Sequence, residues 1–299
     1  MHLPSRLRKL CLLTSATAAL SVPAFSATLV NDTFTDTDRL SSPTSTNTQW
    51  VANGTLTASE TGMLWNTTSA SNRMVLGHFP TVAISDVETT FSLSFTTGAN
   101  GATASNLRIA LVDGTANGFR TTDGFSSTDA SYVGDAGYAI FSGSSNVGGG
   151  NTTNLSLRTY QRNTTTSNNL LGTSGEWGDN AATTTAMATS SGATGYFEAN
   201  TAYNLSIAMS LDAGTLTINT TLSGGNFSGL SYSTIDAVSP TTNFNSIALR
   251  LGGGAQFADI NLTSFTVTSA SAIPEPSAFA SLAGLGVLGL ALARRRRAA

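Results

Sequence analysis

The chain has 299 residues, 40% of them hydrophobic and only 10% charged, so it can bury a sizeable core but lacks the charge density usual in a cytosolic protein. With the basic clusters near the two ends set aside, seven arginines and no lysine remain against sixteen acidic residues, which leaves the body about nine charges negative. Such a surface cannot neutralise phosphates, and this excludes nucleic acid as a partner.

The chain begins MHLPSRLRKLCLLTSATAALSVPAFSA: Arg6, Arg8 and Lys9, then an apolar stretch over 10–22, then the small-residue pattern Ala24-Phe25-Ser26. That order predicts a secretory signal peptide over 1–26, cut after Ser26 or Ala27. Cys11, the single cysteine, lies inside it, and Lys9-Leu10 is not the small-residue approach of a lipoprotein signal. The exported part therefore holds its fold without disulfides.

Over 27–271 the apolar residues recur with period two between clusters of Gly, Asn, Asp and Ser, which predicts strands and turns. Strands are expected at 28–34 and 73–79. In VETTFSLSFTT, Val87, Phe91, Leu93 and Phe95 share one face while Glu88, Thr90, Ser92 and Ser94 share the other. Further strands are expected at 107–112, 138–141 and 155–160. Residues 161–195 break the rhythm with few core-grade side chains, and loops of that length are usually functional or mobile. Trp177, between Gly175, Glu176, Gly178 and Asp179, is the most informative residue there. In YNLSIAMSLDAGTLTINTTLSG, Tyr203, Leu205, Ile207, Met209 and Leu211 face one way, Asp212-Ala213-Gly214 turns the chain, and Leu216, Ile218 and Leu222 return. This predicts a β-hairpin with one buried face. A last pair of strands covers 247–251 and FADINLTSFTVTS, whose apolar phase changes from even to odd, predicting a β-bulge near Thr263. No stretch sustains a helical stripe, so the body is all-β, an antiparallel β-sandwich.

The end of the chain has a different character. Pro274-Glu275-Pro276 is followed by the uncharged residues 277–293 and by Arg294, Arg295, Arg296 and Arg297. Seventeen residues of helix span roughly 26 Å, enough to cross a bilayer, and predict one C-terminal transmembrane helix. Arginines on the cytoplasmic side place the acidic body outside. The two prolines keep the junction extended, as a peptidase requires. Over 272–299 these three parts, in this order, resemble the PEP-CTERM protein-sorting signal. The resemblance implies that the chain is a substrate of an exosortase in a Gram-negative bacterium, cut near Pro-Glu-Pro. Its destination would then be the cell surface or the extracellular matrix, after passage through the inner membrane.

VNDTFTDTDRL, the 203–225 hairpin and FNSIALRLGGG with FADINLTSFTV are similar to concanavalin A-like, or laminin G-like, jelly rolls. Members of that fold bind sugars, cleave them or only build structure. For an enzyme the residues are poor: the body's glutamates, Glu60, Glu88, Glu176 and Glu198, do not alternate on one strand as a glycanase pair would. His78 has no His or Cys neighbour and reads as a strand-end or turn residue. The expectation is no catalytic residue. For glycan binding, the Gly-rich segment DGTANGFRTTDGFSSTDASYVGDAGY offers Phe119, Arg120, Asp123 and Tyr132, and the long loop offers Trp177. Aromatic faces cover sugar rings, and Arg and Asp reach hydroxyls. Phe119, Phe125 and Tyr138 could equally cap the core, within which Trp50 and Trp65 are expected. Asp32, Asp36, Asp38 and Asp259 are hard oxygen donors suited to Ca2+, or plain turn residues. Ahead of both stands a third reading, a non-enzymatic surface or matrix protein with a hydroxyl-rich surface suited to extracellular polysaccharide.

Overall fold

The computed structural model describes residues 26–35, 37–67, 73–99, 107–142, 157–162, 166–172, 177–178, 187–189, 197–225, 227–251 and 257–270. Residues 1–25 of the signal peptide predicted over 1–26, the Pro-Glu-Pro tripeptide, the transmembrane segment and the arginine cluster lie outside them, as does Asp36.

In chain order the strands are β1 (Ser26–Asp32), β2 (Gln49–Ala52), β3 (Leu56–Ser59), β4 (Gly62–Asn66), β5 (Met74–Ala83), β6 (Thr89–Thr97), β7 (Leu107–Asp113) and β8 (Ala136–Ser142). They continue as β9 (Leu157–Arg162), β10 (Trp177–Gly178), β11 (Ala188–Thr189), β12 (Ala202–Asp212), β13 (Thr215–Gly224), β14 (Phe227–Asp236), β15 (Asn243–Leu251) and β16 (Asp259–Ala270). One sheet runs β14-β13-β12-β6-β16-β4-β3, with β1 also on β16; the other runs β10-β9-β8-β7-β15-β5-β2, with β11 on β9. Every pairing given for these strands is antiparallel. The body is an all-β, two-sheet antiparallel sandwich.

The first sheet follows the sequence pattern. Phe91, Leu93 and Phe95 of β6, Leu205, Ile207 and Met209 of β12, and Leu216, Ile218 and Leu222 of β13 all enter the core between the sheets. Their alternate neighbours stay half-buried or exposed. The β12–β13 turn closes in two residues, Ala213 and Gly214, both at positive φ (46° and 82°), as the right-handed twist of a hairpin requires. The expected bulge is present: the β16–β6 register shifts between Leu262 and Ser264.

The second sheet differs, because its strands are buried on both faces. In β7, Ile109 and Leu111 join the core between the sheets, whereas Ala110 and Val112 join a second apolar cluster on the opposite face. β8 repeats this with Tyr138 and Ile140 against Ala139 and Phe141, and β15 with Ile247 and Leu249 against Ala248. The second cluster is closed by Tyr132, Leu170 and Leu171 from the connecting segments and by Trp177 of β10. This corrects the reading of 161–195 as poor in core residues: the described parts include strand β9's last residues and three fully buried apolar side chains.

Sequence periodicity placed β1 two residues too late. Phe34 has φ of 57°, outside any strand, and its N–H donates to Asp32 Oδ1 at 3.0 Å. Asp32 Oδ2 also accepts from Thr48 N (2.9 Å) and from the indole N–H of Trp50 (3.1 Å). Trp50, itself fully buried, packs edge-on to Phe34 and Phe265 at 5.5 and 6.2 Å. One buried carboxylate thereby ties β1, the segment before β2 and the core tryptophan together. Replacement Asp32→Ala leaves three donors without this acceptor and should lower stability by about 3 kcal/mol, read as a lower urea midpoint at unchanged slope.

Candidate functional site

The segment 114–135 between β7 and β8 does not project from the end of the sandwich. It folds back over the outer face of the second sheet, alongside 166–172. Three buried arginines rising from that sheet hold the cover by its carbonyl groups. Arg108 donates to Leu171 O (2.7 Å) and Arg250 to Leu170 O (2.9 Å). Arg162 donates to Tyr132 O (2.9 Å) and Ser167 O (2.8 Å). At the other end Arg39 pairs with Asp123 (3.0 Å between Nη1 and Oδ1), which also accepts from Ala52 N at 3.0 Å. Such charge-assisted bonds fix direction as well as contact.

Two spaces with shared walls result. On the surface an open depression of about 350 Å³ is walled by Asn117, Phe119, Arg120, Asp129 and Ser131. Gly118, at φ of +81°, turns the chain so that Phe119 remains 39% exposed and its ring rests 4.6 Å from that of His78. Arg120 forms an ion pair with Asp129 and donates from Nε to Ser131 Oγ (3.1 Å). Asp129 in turn accepts from Ser131 N (2.9 Å), capping the 3₁₀ turn Ala130–Tyr132. Below, and sharing Phe119, Arg120 and Ser131 as walls, is a cavity of about 20 Å³ that also meets His78, Tyr132, Asp135 and Ser246.

His78 lies inside β5, not at a strand end or in a turn as the sequence suggested, and is 3% exposed. Its Nδ1 is 2.9 Å from Ser246 Oγ, which is 3.1 Å from Asn245 Oδ1. Burial pulls the imidazole pKa down to about 4, against a smaller opposing effect of the Arg120 backbone. Nε2 makes no well-formed hydrogen bond with the described residues. Asp135 is 4% exposed; burial pushes its carboxyl up to about 7, with Arg162 pulling it down and Asp113 pushing it further up.

Of the residues singled out for glycan binding, Phe119 and Arg120 meet in the depression, and Tyr132 lies beneath it with its ring buried. Asp123 is occupied in fastening the cover to β2. Trp177 is fully buried, 6.1 Å from Phe141 and under the Arg162 guanidinium, because the outer face of the second sheet needs a large apolar side chain there. Its face is closed to a ligand. The proposed calcium donors do not converge. Asp32 faces Phe265 in the β1–β16 register, six residues and about 20 Å of strand from Asp259. Its oxygens are taken by N–H donors, and Asp38 accepts from Leu40 N and Ser41 N of its own turn. Among the described residues no group of three His, Cys, Asp or Glu side chains is placed to hold a metal. His78, Asp135, Asn245 and Ser246 were not singled out together from sequence. They are up to 168 residues apart: the β5–β15 pairing sets Ser246 opposite His78, and Asp135 joins them from the segment that leads into β8.

Residues 272–297 match the PEP-CTERM protein-sorting motif. The motif implies exosortase processing, export and sorting to the cell surface. It spans the tail alone, and no curated protein matches the chain. Among solved structures, peanut lectin with a nine-residue peptide is similar at 11% identity and a TM-score of 0.45, covering 83% of this chain and 98% of the lectin. The Lotus tetragonolobus seed lectin is similar at 11% identity and a TM-score of 0.46, covering 84% and 100%. For the Emp47p carbohydrate recognition domain the figures are 11%, 0.43, 74% and 89%.

The two buried groups oppose each other in pH dependence. His78, with its pKa depressed, contributes stability present above pH 6.5 and lost as pH falls towards 4; Asp135, with its pKa raised, contributes stability present below pH 3.8 and lost as pH rises towards 7. Between pH 4 and 6.5 the slopes cancel. Asp135→Asn should therefore make stability rise with pH across this window relative to the parent, and His78→Gln should make it fall, each by about 1.4 kcal/mol per pH unit in urea titrations.

Proposed function

We propose that this protein is an exported exosortase substrate, held briefly in the inner membrane by its C-terminal segment and released as a non-enzymatic component of the cell surface or exopolysaccharide matrix. The sorting motif over 272–297 carries this reading. The outer positions of the first sheet support it: Thr217, Asn219 and Thr221 on β13, and Asn204, Ser206 and Ser210 on β12, are polar and uncharged. A face of hydroxyls and amides exchanges hydrogen bonds with a hydrated polysaccharide without requiring a pocket. We assign the protein no catalytic residue.

A second reading, a lectin-like carbohydrate-binding module, is favoured by the depression at 117–131. It offers a half-exposed aromatic ring beside a fixed Arg120–Asp129 pair and the Ser131 hydroxyl. Its volume suits one or two sugar residues. Glycan bound there stacks on Phe119 and bonds the polar wall.

Two experiments separate these statements. With Glu275→Ala the protein should stay in the inner-membrane fraction; release equal to that of the parent would overturn the sorting assignment. In pull-downs with extracellular polysaccharide, saturable binding that drops about tenfold on Phe119→Ala or Arg120→Ala establishes the second reading. Equal binding by the variants removes it.

A further inference from the structure

The registers of the first sheet bring small polar side chains into line on its outer face. Asn31, Thr266, Ser92, Ser206, Thr221 and Ser231 stand opposite one another in a single rank across β1, β16, β6, β12, β13 and β14. At roughly 4.8 Å from strand to strand, the rank runs for about 24 Å. All of its side chains are half-buried or exposed. The ranks on either side of it, two residues along each strand, hold Ser, Thr and Asn, with Ala208 the one exception among their registered positions. None of these positions carries a charge. A soluble surface ordinarily mixes in roughly 25–35% Lys, Arg, Glu and Asp, so a charge-free face on an acidic body is a selected feature of the sheet.

What the face lacks narrows its occupant. Without Lys or Arg it offers no hold to a polyanion, which the acidic body also repels. Aromatic residues and arginine anchor protein interfaces, and these ranks hold neither; the exposed Ile235 and Leu64 lie outside them. A second copy of the chain therefore finds little here to bury. A rank of short side chains has no walls, so it does not enclose a single sugar.

What the face presents suits a neutral, extended polysaccharide. Each Ser or Thr hydroxyl both donates and accepts, as sugar hydroxyls do, so every step along the rank can be satisfied in either sense. Short side chains, and threonines held stiff at χ1, lose little freedom on binding. One such bond is weak, but a rank of them on one polymer acts together through effective concentration. Neighbouring strands are rotated by roughly 20°. A flat crystalline surface consequently meets only part of the rank, whereas a single chain turning about its glycosidic bonds follows all of it.

We propose that the outer face of the first sheet is a binding site for one extended chain of a neutral polysaccharide, laid along the Asn31–Ser231 rank across six strands. The inference rests on the matrix reading above and names the class of polymer and the face that holds it.

The test is equilibrium binding by the full-length chain in a sugar-free zwitterionic detergent. The probes are glucomannan and hydroxyethylcellulose as neutral polymers, alginate as a polyanion, microcrystalline cellulose, and manno- and cello-oligosaccharides of two to eight residues. At least one neutral polymer should bind better than alginate and microcrystalline cellulose. Its oligosaccharides should gain at least about tenfold in affinity between two and six residues, with affinity unchanged between 50 and 500 mM NaCl because no counterions are released. These readouts need no variant to fold. The double replacement Thr221→Val with Thr266→Val keeps side-chain shape and strand preference and removes two hydroxyls, and should weaken binding by about tenfold. Phe119→Ala, in the separate depression, should leave it unchanged. Preference for alginate, affinity independent of oligosaccharide length, or full binding by the valine pair overturns the site. A dimer in sedimentation that the valine pair splits assigns the face to a second copy and also overturns it. Absence of binding by both neutral polymers overturns the site as well; the matrix reading then stands if extracellular polysaccharide is still bound, and falls with it if not.

Discussion

The second sheet is apolar on both sides, and that single constraint organises the rest of the molecule. Successive residues of β7, β8 and β15 send apolar side chains in opposite directions, residues such as Ile109, Leu111, Ile140 and Leu249 to the core between the sheets and Ala110, Val112, Ala139, Phe141 and Ala248 outwards. Left in water, the outward set would cost about 25 cal/mol for each Å² exposed. Connecting segments must therefore lie down on the sheet, and a segment that does so buries backbone groups that need partners. Arg108, Arg162 and Arg250 meet that need from below, since each guanidinium carries several donors on a stem long enough to cross the apolar layer. The cover is thus part of the fold's interior in everything but its secondary structure.

The candidate site is a product of the same arrangement. A loop with turn residues such as Asp113-Gly114, Asn117-Gly118 and Gly134-Asp135 brings polar groups with it, and some are trapped below the surface. His78 and Asp135 become hard to charge because the cover removes their water. Burial is the largest cause of their displacement in opposite directions, as it disfavours imidazolium and carboxylate alike. The half-exposed Phe119 forms the boundary between this dry interior and the open depression.

How much of this could be read from the chain follows from how each part is made. β6, β12, β13 and β16 have one wet face, so their period-two pattern survives in the sequence, down to the phase change that marks the bulge near Thr263. β7 and β15 read as strands because they are short apolar runs, but a run does not say that both of its faces need covering. For that reason Leu170, Leu171 and Trp177 looked like loop residues although all three are buried. β2, β3 and β4 are only four or five residues long, and β14 is broken by serines and Gly229, so none rises above the surrounding polar sequence. The carboxylate of Asp32 suggested an ion from its neighbours Asp36 and Asp38. Its actual partners, the Thr48 amide and the Trp50 indole, lie sixteen and eighteen residues away and carry no local signature. The sorting motif was legible in full, being a linear signal.

β16 is hydrogen-bonded along both edges: to β6 for most of its length on one side, and to β4 and then β1 on the other. Its final residue, Ala270, is opposite Ser26 and is tied again by its N–H to Glu88 O at 2.9 Å. Tension arriving along the chain from residue 271 consequently enters the sandwich through a strand gripped on two sides. Two ladders must slide together before that strand can be drawn out, so the strand that leads into the sorting motif resists extraction along both of its edges.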